Sequence, residues 1–266
     1  MSTSGASERT ASFGLAFVPG LSYGAPMDTL VADLRNLLGT ARLSLEADGD
    51  GWLLVGAHGE RPLQSLPLDA VDPGARRAEL MAVAAGLEAA VKIGAPIEDS
   101  DFVTGAANLL PQLERSRFVD AYQAANTDGD ADLVHRPLGA DLSVVYVRDA
   151  GWRFHYVGAG QVARWGVTPG TIDAGARSNL YHRAEVDYRA LEVAQGDGYD
   201  AARLLLAGDV FYQLDEGEGV TMAVPGRDLL LVGPAADAAQ DRFATATYPL
   251  SPHRLRVAKG CATVIP

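Results

Sequence analysis

Apolar positions repeat with a helical period in four places along the chain. Leu30, Leu34, Leu37 and Leu38 fall on one face, with Asp28 able to cap the start and Gly39 able to end the turn. Asp72-Pro73 opens a second such run, with Leu80, Val83, Leu87 and Val91 on one face and Gly94 closing it. Phe118 to Ala125 reads as a short helix, and Thr168-Pro169 starts another that carries Ile172, Ala176 and Leu180. Tyr199 to about Leu214 reads as a further helix, broken near Gly208.

Between these runs the period shortens to two. Arg42–Ala47 and Trp52–Ala57 flank Asp48-Gly49-Asp50-Gly51, a hairpin turn signal, and Pro62 to Leu68 reads as an edge strand. Leu142–Val147 and Trp152–Val157 alternate around Asp149-Ala150-Gly151. Further strands are predicted at Val220–Val224, Leu229–Val232, Ala244–Tyr248 and Leu255–Ala258. Strands and helices that follow one another in this way predict an α+β fold. It has two lobes, each a small, mostly antiparallel sheet backed by helices. Residues 1–26, rich in Ser, Gly, Ala, Thr and Pro, read as a flexible tail. Pro111 interrupts the stretch 95–131, and the polar loop Asn126–Asp132 marks the boundary between an N-terminal lobe (27–130) and a C-terminal lobe (131–266). Ala41-Arg42-Leu43-Ser44, Gly51-Trp52 and Gly74-Ala75-Arg76 are echoed by Ala140-Asp141-Leu142-Ser143, Gly151-Trp152 and Gly175-Ala176-Arg177, which leaves an internal repeat open.

Composition narrows the partners. The chain has 266 residues, 34 acidic against 22 Lys and Arg, for a net charge of −12. A nucleic-acid binder needs a basic face to displace counterions, and an anionic membrane surface would repel this chain, so neither is expected. No apolar run approaches the ~20 residues of a membrane helix, and Phe13 to Leu21, broken by Pro19, is too short for a secretory signal. A cytoplasmic location follows as the expectation. One cysteine, Cys261, excludes an internal disulfide and a multi-cysteine zinc site, and beside an apolar C-terminal stretch it reads as a small buried hydrophobe.

Candidate chemistry is sparse. Gly158-Ala159-Gly160-Gln161-Val162-Ala163 fits a dinucleotide-binding pattern, but Thr168-Pro169 cuts off the long helix that would hold a pyrophosphate. Asn126, Asp128, Asp130 and Asp132 alternate like a calcium loop, yet Ala131 and Pro137 stand where the loop needs Gly and a bidentate Glu. The five histidines have no helical zinc spacing. No cofactor or metal is therefore expected. Two clusters remain. Asp197, Tyr199, Asp200 and Arg203 lie in Gly196-Asp197-Gly198-Tyr199-Asp200-Ala201-Ala202-Arg203, and Arg227 and Asp228 lie on the tight turn Val224-Pro225-Gly226-Arg227-Asp228. Their charges either pair to fix a helix start and a hairpin, or hold an anion or peptide at the element ends.

The same clusters carry a resemblance. Val144-Val145-Tyr146-Val147-Arg148-Asp149, Trp165-Gly166-Val167-Thr168, Ala176-Arg177-Ser178-Asn179-Leu180, Asp197 through Leu205 and Val224 through Asp228 occur in the order and spacing of the YtpQ-like bacterial proteins, which the C-terminal half resembles from about 133 to 232. That family has no established activity and supplies no catalytic residue. The sequence thus points to a non-enzymatic binding or regulatory module for an unknown protein or small molecule. Asn179, Asp197, Tyr199, Asp200, Arg203, Arg227 and Asp228 are its candidate contact residues. The alternative is a hydrolase using Asp197, Asp200, Arg227 and Asp228.

Overall fold

The structure, a computed structural model, describes residues 27–40, 42–48, 51–56, 59–63, 76–92, 101–126, 132–149, 154–183, 186–187, 190–214 and 217–265. The expected tail, the Asp72-Pro73 helix start, Gly94 and the middle of the 126–132 loop lie outside them. The chain begins with α1 (Met27–Thr40) and a three-stranded antiparallel meander of β1 (Ser44–Asp48), β2 (Gly51–Gly56) and β3 (Gly59–Leu63). Next come α2 (Arg76–Lys92), α3 (Phe102–Ala106), β4 (Leu109–Arg115) and α4 (Ser116–Ala124). A second sheet adds β5 (His135–Gly139), β6 (Leu142–Asp149) and β7 (Phe154–Tyr156). After α5 (Ala159–Trp165) and α6 (Pro169–His182), the chain passes through β8 (Glu192–Val193), a 3-10 helix (Ala201–Leu206) and α7 (Ala207–Val210). It then forms β9 (Val220–Gly226), β10 (Leu229–Val232), α8 (Ala239–Thr245), β11 (Arg254–Ala258) and β12 (Cys261–Ile265). The third sheet runs β12-β11-β9-β10-β8, and all its pairings are antiparallel. The fold is α+β, as the periodicity predicts.

The organisation around residue 130 differs from the expectation. β4, upstream of the polar loop, pairs along its whole length with β6, from Leu109↔Arg148 to Arg115↔Leu142. The other edge of β6 is shared by β5 and β7. The expected lobe boundary therefore falls between two strands of one sheet. One contiguous core runs from Leu34 and Leu87 through Leu113 and Val145 to Val224 and Leu255. Every residue of β4 is buried, so its sequence shows no alternation. Pro111 fits because β4 is an edge strand, where the missing N–H breaks no ladder bond.

Helix α6 starts as expected, with Thr168 Oγ1 accepting from the Thr171 amide and Ile172, Ala176 and Leu180 buried. Helix α5 ends after seven residues at Gly166, in left-handed conformation at φ 65°. Three expectations are corrected. Residues 239–245 form α8 rather than the start of a strand; the chain turns extended only afterwards, where Pro249 bridges Gly226. The stretch 199–214 is not one helix with a break near Gly208: the 3-10 helix Ala201–Leu206 leads into α7, which contains Gly208, and a second 3-10 turn follows at Tyr212–Leu214. Cys261 is exposed; in the edge strand β12 it is Ala262 that turns inward.

The crossing of α2 and α4 depends on Gly86. A Cβ there would sit 2.3 Å from the Phe118 carbonyl oxygen and 3.0 Å from Ala121 Cβ. Gly86→Ala is therefore expected to destabilise by about 1–3 kcal/mol through overpacking, despite alanine's ~1 kcal/mol helix advantage. Urea denaturation reads it, and an unchanged midpoint would contradict the close crossing.

Candidate functional site

Two buried ionic clusters hold the charges singled out by sequence. The first is built on a loop that doubles back on itself. Gly196 and Gly198 adopt φ of 70° and 81°, a region costly for other residues. This puts Asp197 and Asp200 on either side of Arg203. Arg203 Nη1 donates to Asp197 Oδ1 at 3.0 Å and to Asp200 Oδ1 at 2.8 Å, and its Nη2 donates to Asp197 Oδ2 at 2.7 Å. The remaining Asp200 oxygen accepts from the Gly196 amide at 2.8 Å, and Asp197 Oδ1 also accepts from the Tyr199 amide at 3.0 Å. The side chains of Arg203 and Asp200 are fully buried. Burial pushes the Asp200 carboxyl up. Burial also pushes Asp197 upward, but the hydrogen bonds and charge of Arg203 outweigh it and hold that carboxyl below its ordinary range.

A second layer ties this loop to the central sheet. Tyr199 donates its hydroxyl to Asp149 Oδ2 at 3.0 Å, at the end of β6. Arg183, just past α6, donates to the same oxygen at 2.7 Å, with its guanidinium carbon 4.5 Å from the Tyr199 ring centroid. Burial and the Asp149 charge raise the Tyr199 phenol well above its usual value, so it remains a donor.

The second cluster surrounds Glu114 on β4. Its carboxylate is wholly buried. Arg227, in the turn between β9 and β10, donates Nη2 to Glu114 Oε1. Tyr248 donates its hydroxyl to Oε2 at 2.7 Å, and its ring lies 3.7 Å from the Arg227 guanidinium carbon. Burial pushes Glu114 up, only partly offset by Arg227, Tyr248 and Tyr156. Burial opposes the Arg227 charge as well, but Glu114 more than compensates, so the guanidinium stays charged while its partner is hard to charge. Beside them, Arg115 pairs with Glu79 of α2 and donates to the Leu250 carbonyl. The two clusters meet through one backbone bond, Ala201 N–H to Arg227 C=O at 3.0 Å.

The structure thus brings Asp197, Tyr199, Asp200 and Arg203 together and adds Arg183 and Asp149, which sequence reasoning missed. It places Arg227 with Glu114 and Tyr248 instead. Asp228 is exposed on the turn and lends only its charge to the surroundings of Arg227. Asn179 lies elsewhere, donating Nδ2 to the carbonyls of Ala106 at 2.6 Å and Leu109 at 2.8 Å, which fixes α6 to the start of β4. The four residues of the hydrolase alternative thus divide between two ionic groups and an exposed turn position. Sequence reasoning missed Glu114, and the one signal that could have found it is an acid directly after the mostly apolar stretch Leu109-Leu110-Pro111-Gln112-Leu113, which needs a partner wherever that stretch is buried.

Among the described residues, no group of three or more His, Cys, Asp or Glu is arranged to hold a metal ion. A shallow depression of about 300 Å³, lined by Asp237, Gln240, His253 and Arg254, lies apart from both clusters, and Asp237 and Arg254 pair across it at 2.8 Å. No helix among the described residues is long and apolar enough to cross a membrane. Comparison of the chain with family models, curated proteins and solved structures finds no match.

Proposed function

We propose that the chain is a cytoplasmic, non-enzymatic binding or regulatory module whose C-terminal half is related to the YtpQ-like bacterial proteins. Its partner is a protein or a small molecule. One observation supports this reading. Both oxygens of Asp197, of Asp200 and of Glu114 already accept hydrogen bonds from the chain's own Arg203, Gly196, Arg227 and Tyr248. A carboxylate that acts as base or nucleophile must offer a lone pair to the reacting atom. The Asp200 and Glu114 side chains are wholly buried and all three carboxylates are held by the chain's own donors, which supports a bracing role over an encounter with a reacting atom.

The test combines stability with a screen for turnover. Asp197→Asn should lower stability by about 1.5–3 kcal/mol, the loss of charge-assisted bonds, while Asp228→Ala should stay within about 0.5 kcal/mol. A panel of ester, phosphoester, peptide and glycoside substrates should show no turnover above background. Turnover by the wild type that disappears in Asp197→Asn at unchanged melting temperature would overturn the reading in favour of the hydrolase.

A further inference from the structure

The arginines of this chain are buried in company. Arg76 meets Asp33, Arg115 meets Glu79, Arg136 meets Asp173, Arg203 meets Asp197 and Asp200, and Arg227 meets Glu114. Arg148, near the end of β6, is different. It is half-buried, and its Nε and Nη1 are shielded from solvent without a hydrogen-bond partner. Among the described residues it forms no ion pair, in a chain with 34 acidic residues against 22 basic ones. The neighbouring acids are committed elsewhere: Asp149 holds Arg183 and Tyr199, and Asp101 caps the first turn of α3 through the Thr104 amide. Burial alone pulls the Arg148 guanidinium below its ordinary value, with no opposing charge to restore it.

What lies beside Arg148 is aromatic. Its guanidinium carbon is 5.9 Å from the Trp165 ring centroid. Phe102 meets Trp165 edge-on at 5.6 Å, with the planes at 61°. The indole packs against Gly105 of α3, where a Cβ would lie 2.7 Å from its Cζ2. Val103, next to Phe102, is 80 % exposed. A half-desolvated cation is thus set beside an apolar shelf with an exposed rim. In such a setting a guanidinium binds oxyanions strongly, because partial removal of water raises the effective attraction. A neutral ligand would leave the charge uncompensated.

We infer that Arg148, Trp165 and Phe102 form a binding site for an oxyanion, carboxylate or phosphate, carried on an aromatic or branched apolar body. Arg148 supplies the charge through Nη2, its only nitrogen not shielded from solvent, and the two rings receive the apolar part. The site stands whether or not the chain also turns a substrate over.

Isothermal titration calorimetry at low salt tests it with benzoate, phenyl phosphate and the neutral benzamide. The expected result is saturable binding of at least one anion, at least tenfold tighter than benzamide; the tighter anion identifies the headgroup. Arg148→Met should abolish that binding while keeping or raising the melting temperature, since it removes an unpaired, half-buried charge. Arg148→Lys, the second variant, should retain weakened binding. Gly105→Ala, which displaces the indole, should weaken it as well. Absence of saturable binding of either anion, equal affinity for benzamide, or undiminished binding by Arg148→Met would each overturn the site.

Discussion

Arg203→Met is expected to cost about 3–5 kcal/mol, the penalty for removing one partner from a buried ion pair. The residue has no exposed side-chain surface, and its removal leaves Asp200 equally buried with only the backbone amides of Gly196 and Gln195 to bond it. For a chain of this size each kcal/mol corresponds to roughly 2–4 °C, so the melting temperature should fall by about 6–20 °C. The triple variant Asp197→Leu/Asp200→Leu/Arg203→Met should recover most of that loss, because apolar side chains of similar volume replace a buried ionic group at little net cost. A fall of less than about 1 kcal/mol in the single variant would show that the corner is not a brace.

Arg227→Met carries the second large effect, again about 3–5 kcal/mol at neutral pH, and here the loss depends on pH. Glu114 already has a raised pKa in the folded protein, and burial is the cause. The folded state therefore takes up the Glu114 proton at a higher pH than the unfolded chain. Its stabilising contribution is complete below the ordinary carboxyl value of about 4.5 and is lost as pH rises through the raised folded value. Without Arg227 the folded value rises further. The stability gap between wild type and Arg227→Met should thus widen as pH rises above the ordinary carboxyl value, as read by urea titrations at each pH. Glu114→Gln and Glu114→Gln/Arg227→Met both lack the titrating carboxyl, so the gap between those two variants should be flat with pH. A gap that narrows with rising pH would refute the buried-carboxylate account.

The parts of this fold legible in sequence are those whose signal is local. Thr168-Pro169 with Ile172, Ala176 and Leu180 specifies a capped amphipathic helix within fourteen residues, and α6 has those features. The turn at Gly226 to Asp228 between β9 and β10 reads off the Pro-Gly pair and the apolar runs beside it. Strand β4 was illegible because burial on both faces erases alternation and because Pro111 suggests a break. The corner of Asp197, Asp200 and Arg203 was visible, since its members lie within seven residues and Asp200 and Arg203 are one turn apart. Glu114 was not, because its partners Arg227 and Tyr248 are 113 and 134 residues away in the chain. Nothing local marks a tyrosine at 248 as the group that completes a carboxylate at 114. Arg148 escaped for the opposite reason: its distinction is a missing partner, which only a three-dimensional survey of its neighbours reveals.

The distance between Arg115 and the Leu250 carbonyl, 135 residues along the chain, also bears on how the protein is made. Ribosomes add roughly 5–20 residues per second, so about 7–27 s separate the synthesis of β4 from that of the residues that neutralise and cover it. During that interval the Glu114 carboxylate sits in a strand that ends fully buried, before Arg227 and Tyr248 exist to bond it. The segment from Arg227 to Leu250 therefore sets when the first half of the core can close.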